Sequence, residues 1–193
     1  MATARAPRLD PDQVIAAAER LVASKGWEGL TMAALAADLG VRAPSLYRHV
    51  ESLDVVRNEL RLRSVRELGD AVRAAVMGRS GLDGLHALTD AYRAYAQSHP
   101  ERYLSQTGLT GDEAMRDAGR RLGEAGYAVL ASLGIEEERL PVTTAQLAAV
   151  VHGFVSLELE QTIDWITDAD AAFHELVELF AAGLAARRGR QPS

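Results

Sequence analysis

Apolar residues recur along most of the chain at intervals of three and four, the spacing that brings side chains to one face of a helix. From Pro11 to about Lys25 the stripe is Val14, Ala17, Ala18, Leu21 and Val22. Asp10 and Gln13 have capping-box spacing, Pro11 suits the first helical position, and Gly26 is the stop. Met32, Leu35, Ala36 and Leu39 repeat the pattern behind Thr31, whose hydroxyl suits an N-cap, and Gly40 follows at the place where a left-handed residue ends a helix. A short helix then starts within residues 41–44, with Pro44 early in it and Leu46 and Val50 facing inward. Ser52 caps a long one through Leu53, Val56, Leu60, Leu68, Val72 and Val76 to about Met77.

Further helices are expected at Leu85–Ser98, just after Pro100, at Asp112–Leu133, at Thr144–Ile166 and at Ala171–Arg187. The segment from Gly78 to Gly84 is the clearest break, Gly108 and Gly111 flank a second, and an acidic loop from Gly134 to Thr143 makes a third, with Thr143 and Gln146 as the next cap. Ala, Leu, Arg and Glu outnumber β-branched residues, which completes an all-α reading of the 193 residues. The chain divides into a three-helix head at 1–53 and a helical bundle at 54–193, sharing the long fourth helix.

Residues 31–49 form the most informative stretch: a capped helix, a glycine turn and a second short helix make a helix-turn-helix. With Leu46 and Val50 inward, Ala43, Ser45, Tyr47, Arg48 and His49 point outward or sideways as groove-facing candidates. The net charge of -6 argues against nucleic acid, since phosphate neutralisation supplies most non-specific affinity. Its distribution changes that. Residues 1–63 hold nine Lys or Arg and eight Asp or Glu, and the remainder holds twelve and nineteen, so the acidity sits away from the motif. Arg5 and Arg8 form an N-terminal basic arm. The absence of cysteine excludes disulfides and thiolate metal sites and makes a reducing cytoplasm the simplest compartment. The polar N-terminus has no apolar core of a signal peptide, and the run at Leu147–Val155, broken by His152, is too short to cross a bilayer. No membrane, metal or cofactor is expected.

Gly40 and Val41, followed by Pro44, Ser45, Leu46, Tyr47, Arg48, His49 and Val50, resemble the signature of the tetracycline-repressor-type regulators, the TetR family. The resemblance implies that Thr31, Tyr47 and His49 meet phosphates of double-stranded DNA while Arg42, Ala43, Pro44 and Ser45 read base edges. Arg42 is the specificity candidate through guanine O6 and N7, and Arg48 serves phosphate or base. Family members commonly carry a lysine at the start of the next helix; here that position is Leu53, preceded by Glu51, which weakens the phosphate grip. The second half resembles the subgroup with a tryptophan-histidine-glycine, or WHG, type of C-terminal domain, through Ala96, His99, Pro100, His152, Gly153, Leu157, Gly183 and Leu184. Ala148 stands where its tryptophan is expected.

Such bodies usually enclose a pocket for a small-molecule effector, for which Tyr92, Tyr95, Tyr103, Met115, Tyr127, His152 and Phe154 are lining candidates. Each also reads as ordinary core, and walls of Ala, Leu and Val with a few Tyr or His suit a mostly apolar ligand. The stretch LAAVVHGFVSLEL is apolar on nearly every face and the last helix has an a/d-like stripe. Leu147, Val151, Phe173, Val177, Phe180 and Leu184 are therefore candidates for a four-helix homodimer interface, with a monomeric bundle as the alternative. A dimer would set two recognition helices one DNA turn apart on a palindrome. The chain carries no Gly-rich phosphate loop, HExxH or nucleophile elbow, and Glu158 and Glu160 near His152 are the nearest approach to acid–base machinery, so no enzyme is expected. The reading is a ligand-responsive, dimeric, DNA-binding repressor; the rival, motivated by Leu53 and Glu51, is a helical ligand-binding or protein-interaction bundle with little DNA binding.

Overall fold

The computed structural model describes residues 9–105 and 113–188, all helix and connecting turns without a strand. Arg5, Arg8, Gly108 and Gly111 lie outside the described residues. The helices are α1 (Pro11–Gly29), α2 (Met32–Asp38), α3 (Ala43–Leu46), α4 (Leu53–Val76), α5 (Gly81–Ser98), α6 (Pro100–Leu104), α7 (Glu113–Ser132), α8 (Leu140–Leu159) and α9 (Ala169–Arg188). Leu53, the expected boundary, is the first residue of α4. The chain divides into two compact units further along that helix, between Ser64 and Val65, and α6 from Glu101 onward belongs to the first unit.

Local chemistry accounts for the first unit. Asp10 accepts from the Asp12 amide and forms a full capping box with Gln13 at the start of α1. Gly26 breaks that helix at φ 68°, and one more turn follows to Gly29. Thr31 Oγ1 accepts from the Ala34 amide at 3.1 Å and Ser52 Oγ from the Val55 amide at 3.3 Å. Val14, Leu21, Val22, Leu30, Leu35, Leu46, Val56 and Leu60 make one core, with Trp27 packed against it. The Trp27 indole N–H donates to the Glu101 carbonyl at 2.5 Å, Arg61 lies 5.3 Å from the Trp27 ring centre, and Arg61 Nε donates to the Ser105 carbonyl at 2.9 Å. These contacts tie α6 to α1 and α4 within the head.

In the second unit α5 packs on α7, α8 and α9, α7 packs on α8, and α8 packs on α9. Two helix starts differ from expectation. Helix α5 begins at Gly81, inside the supposed break, because Gly84 serves close packing: a Cβ there would meet Val129 Cγ2 at 3.4 Å. Helix α8 begins at Leu140 with Pro141 in its first turn, so Thr143 is an interior residue, 1% exposed, rather than a cap. It ends at Leu159, short of Ile166, where Thr162 N–H and Oγ1–H both donate to the Leu157 carbonyl and Gln161 adopts φ 56°. Among the described residues one stretch, Glu137–Leu159, is long and apolar enough to cross a bilayer, with mean hydropathy 1.4. In this unit it buries Thr143, Leu147, Val151 and Val155, spaced by four, against its neighbours.

Candidate functional site

The turn between α2 and α3 is set by backbone hydrogen bonds. The Gly40 N–H donates to the Ala37 carbonyl and the Val41 N–H to the Ala36 carbonyl at 2.9 Å, while Gly40 takes φ 65°. This is the closing pattern of a Schellman end, which requires a left-handed residue and reverses the chain in four residues. Leu46, fully buried, fixes α3 to the head core. Single turns continue the coil through His49, whose N–H donates to the Leu46 carbonyl. Arg42, Pro44, Tyr47 and Arg48 are exposed, Tyr47 at 54%, while Ala43, Ser45 and His49 are half-buried beside them. Arg48 Nη2 donates to Ser45 Oγ at 3.1 Å, so two polar side chains are already aligned. Thr31 stands exposed at the head of α2; its oxygen is used as the cap, and its proton remains available to a phosphate oxygen. The pair Arg20–Asp38, at 2.7 Å, pins α2 to α1.

The second unit contains a cavity of about 580 Å³ walled by α4, α5, α7 and α8, within the range that holds a drug-sized ligand. Tyr92 and Tyr127 line it; the other five tyrosine, methionine, histidine and phenylalanine candidates do not. Tyr103 is fully buried in α6, in the first unit. Tyr95 is buried with its hydroxyl donating to Glu67 at 3.2 Å, and Met115 is buried as well. Phe154 packs on Phe173 with ring centres 5.3 Å apart. His152 Nδ1 lies 3.4 Å from the Tyr92 hydroxyl. What the sequence reading missed is the small-residue lining, Gly119, Gly123 and Gly126 of α7 with Thr144, Ala145 and Ala148 of α8. The signal was present as three glycines spaced i, i+4, i+7 in a helix.

The second unit also holds an ion cluster centred on the buried Arg93. Arg93, its side chain 8% exposed, reaches Glu158 through Nε at 2.9 Å and Nη2 at 2.5 Å, and Asp170 through Nη1 at 2.7 Å. Its guanidinium also lies 5.0 Å from the Phe173 ring centre. The hydrogen bonds to Glu158 raise the Arg93 pKa further, against the opposing effect of burial. Glu158 is thus committed to Arg93, which removes it from any acid–base partnership with His152.

Burial pushes the His152 pKa below the ordinary imidazole value. The unfolded chain therefore takes up that proton at higher pH than the folded one. The neutral ring contributes stability that is complete above the ordinary imidazole pKa and is lost as pH falls from there through the lower folded value. His152→Gln is expected to shrink the drop in urea midpoint between about pH 8 and about pH 5. An equal drop in both proteins would assign the acid sensitivity to other groups.

Of the dimer candidates, Leu147, Val151, Phe173, Val177 and Leu184 are buried inside their own chain, and only Phe180 is half-exposed. Their stripe marks where α8 and α9 meet the rest of the unit. The large apolar side chains that the two helices leave exposed are Val142, Leu157 and Leu179.

Residues 14–52 match the bacterial regulatory proteins of the tetR family, and residues 85–180 match the tetracyclin repressor-like C-terminal domain. The chain is 35% identical over 187 residues to the uncharacterized HTH-type transcriptional regulator Rv0681 of Mycobacterium tuberculosis, covering 95% of this chain and 85% of that protein. It is 30% identical over 200 residues to the class A tetracycline repressor protein from transposon 1721 of Escherichia coli, covering 94% and 93%. A crystal structure of BioQ with its double-stranded DNA operator shares the fold at a TM-score of 0.66 and 20% identity, over 93% of this chain and 99% of that one. The helix-turn-helix of the first unit, the all-helical second unit and these whole-length likenesses agree: the chain belongs to the TetR family of DNA-binding transcriptional regulators.

Proposed function

We propose that the protein is a cytoplasmic, homodimeric repressor that holds a palindromic operator through α3 and its flanks and lets go when a small molecule occupies the cavity of the second unit. The observation that carries the DNA half is the exposed face of Arg42, Pro44, Tyr47 and Arg48 on a helix whose inward residue, Leu46, is fully buried. The BioQ structure, solved with its operator, supports the same use of the fold. Thr31, Tyr47 and His49 are assigned to phosphates, Arg42 with Ala43, Pro44 and Ser45 to base edges, and Arg48 to either. No catalytic role is assigned.

The dimer rests on the apolar surface that α8 and α9 expose around Val142, Leu157 and Leu179. A two-fold pairing there would cover the apolar helix and bring two heads to one operator. For release, α4 supplies Val72 to the cavity wall and Val56 and Leu60 to the head core within one continuous helix. A ligand that favours one setting of this helix shifts operator affinity by its differential affinity for the two states, a coupling on the order of 1–3 kcal/mol.

Selection of bound sequences from random DNA, with sedimentation in parallel, tests the proposal: a recovered palindrome bound by a dimer supports it. No enrichment even at low salt would favour the ligand-binding bundle suggested by Leu53 and Glu51. On the recovered operator, Tyr47→Ala is expected to weaken binding alike for every base variant. Arg42→Ala should cost about 1–3 kcal/mol and relax preference at one base pair. Uniform losses for Arg42→Ala in a binding titration would make it a phosphate contact.

A further inference from the structure

The cavity has a shape that narrows what it can take. Gly119, Gly123 and Gly126 lie on one face of α7 and form part of its wall. A Cβ on Gly126 would meet Thr144 Cγ2 at 3.3 Å, so α7 and α8 close against each other there. A Cβ on Gly119 or Gly123 would meet nothing within 4 Å. The space between the two helices is therefore a wedge, shut at Gly126 and open toward Gly119. Glycine weakens a helix relative to alanine, and neither Gly119 nor Gly123 has a positive φ or a close neighbour that demands it. What their missing side chains keep clear is the wedge. At its narrow end the Thr144 hydroxyl oxygen is buried without a hydrogen-bond partner among the described residues, an arrangement that proteins seldom leave unfilled. The charged residues in the lining, Arg120 and Glu124, are of opposite sign and cancel. The wedge thus offers no net charge to an ion.

We propose that this wedge takes an uncharged, flat ring system entering edge-on between α7 and α8, with one polar group on its leading edge hydrogen-bonded to the Thr144 hydroxyl after that side chain turns its oxygen toward the ring. The inference rests on the effector reading of the cavity and names the chemical class that fits. Tyr92 and Tyr127, in the same lining, supply aromatic surface on which such a ring can stack.

The test uses the full chain and four probes: Nile red, which is flat and uncharged with a carbonyl on its ring edge; ethidium, flat and cationic; anilinonaphthalene sulfonate, anionic; and 1-adamantanone, uncharged but globular and followed by competition with Nile red. Nile red is expected to bind saturably and more tightly than the other three. Gly123→Leu, which places its side chain in open space, should weaken Nile red at least tenfold while the thermal midpoint is retained. Thr144→Val, which keeps the shape and removes the hydroxyl, should weaken it several-fold. If a charged or globular probe binds better and Gly123→Leu blocks it, the ligand class is overturned while the cavity stands as a site. If no probe responds to Gly123→Leu or to Thr144→Val, the effector reading of the cavity falls with it.

Discussion

Arg93→Ala is expected to lower the unfolding free energy of the second unit by about 3 to 5 kcal/mol, the cost of leaving a buried ionic partner behind. Glu158, with 17% of its side chain exposed, would keep only the Gln97 amide at 3.2 Å, and the cluster that joins α5 to α8 and α9 would lose its centre. Asp170, mostly exposed, regains water at little cost. The contrast lies in the double replacement. Arg93→Met with Glu158→Leu removes both charges in roughly the same volume and should recover most of the loss, because paired buried charges spend much of their attraction on desolvation. Urea unfolding followed by circular dichroism across this double-mutant cycle gives the coupling. A loss below about 1 kcal/mol for Arg93→Ala, the range of exposed pairs, would show that water reaches the cluster.

Leu46→Ala carries the second large effect. Leu46 is fully buried and is the sole buried side chain of the four-residue α3, so it is the chief anchor of the helix on the head core, beside the partly buried Ala43. Truncation should cost about 2 to 5 kcal/mol from lost burial and the cavity left behind. Operator binding should fall with it, although Leu46 touches no DNA in the proposed arrangement. The chain has two tryptophans, so in a Trp165→Phe background Trp27 reports on the head alone. An early loss of Trp27 signal in urea together with weakened operator binding is the expected pair of results. Leu46→Met, close in volume, should retain both. Unchanged affinity in Leu46→Ala would mean that DNA itself orders α3 at no measurable expense.

The head was legible because its determinants are local. Thr31 caps three residues ahead, Gly40 closes a turn of four, and the stripe from Val14 to Val22 needs no distant partner to be recognised. The body was legible only as helices. A periodic apolar stripe says that a face is buried and not against what, so Leu147, Val151, Phe173 and Val177 read as a partner surface and proved to be interior. Large side chains attracted attention as pocket walls, whereas the cavity is shaped by side chains that are missing, at Gly119 and Gly123. Two boundaries, one in the expected acidic loop and one in the expected glycine break, moved for the same reason. Pro141 begins α8 and Gly84 packs inside α5, positions where these residues fit a helix as readily as they interrupt one.

The placement of α6 in the head bears on how the protein is made. The residues that complete Trp27 and Arg61, the carbonyls of Glu101 and Ser105, are separated from the rest of the head by all of α5. When Ser64 leaves the ribosome the three helices before it already hold their core residues, yet the indole N–H and the guanidinium still face water. At a synthesis rate of about 5–20 residues per second, roughly 2 to 8 s pass before Ser105 follows it out. Through that interval the nascent head is an unfinished unit whose last piece arrives only after part of the next one has been translated. A gene fragment cut at Ser64 therefore encodes a head that lacks its closing segment, and exchange of heads between relatives would have to carry two separate stretches of coding sequence.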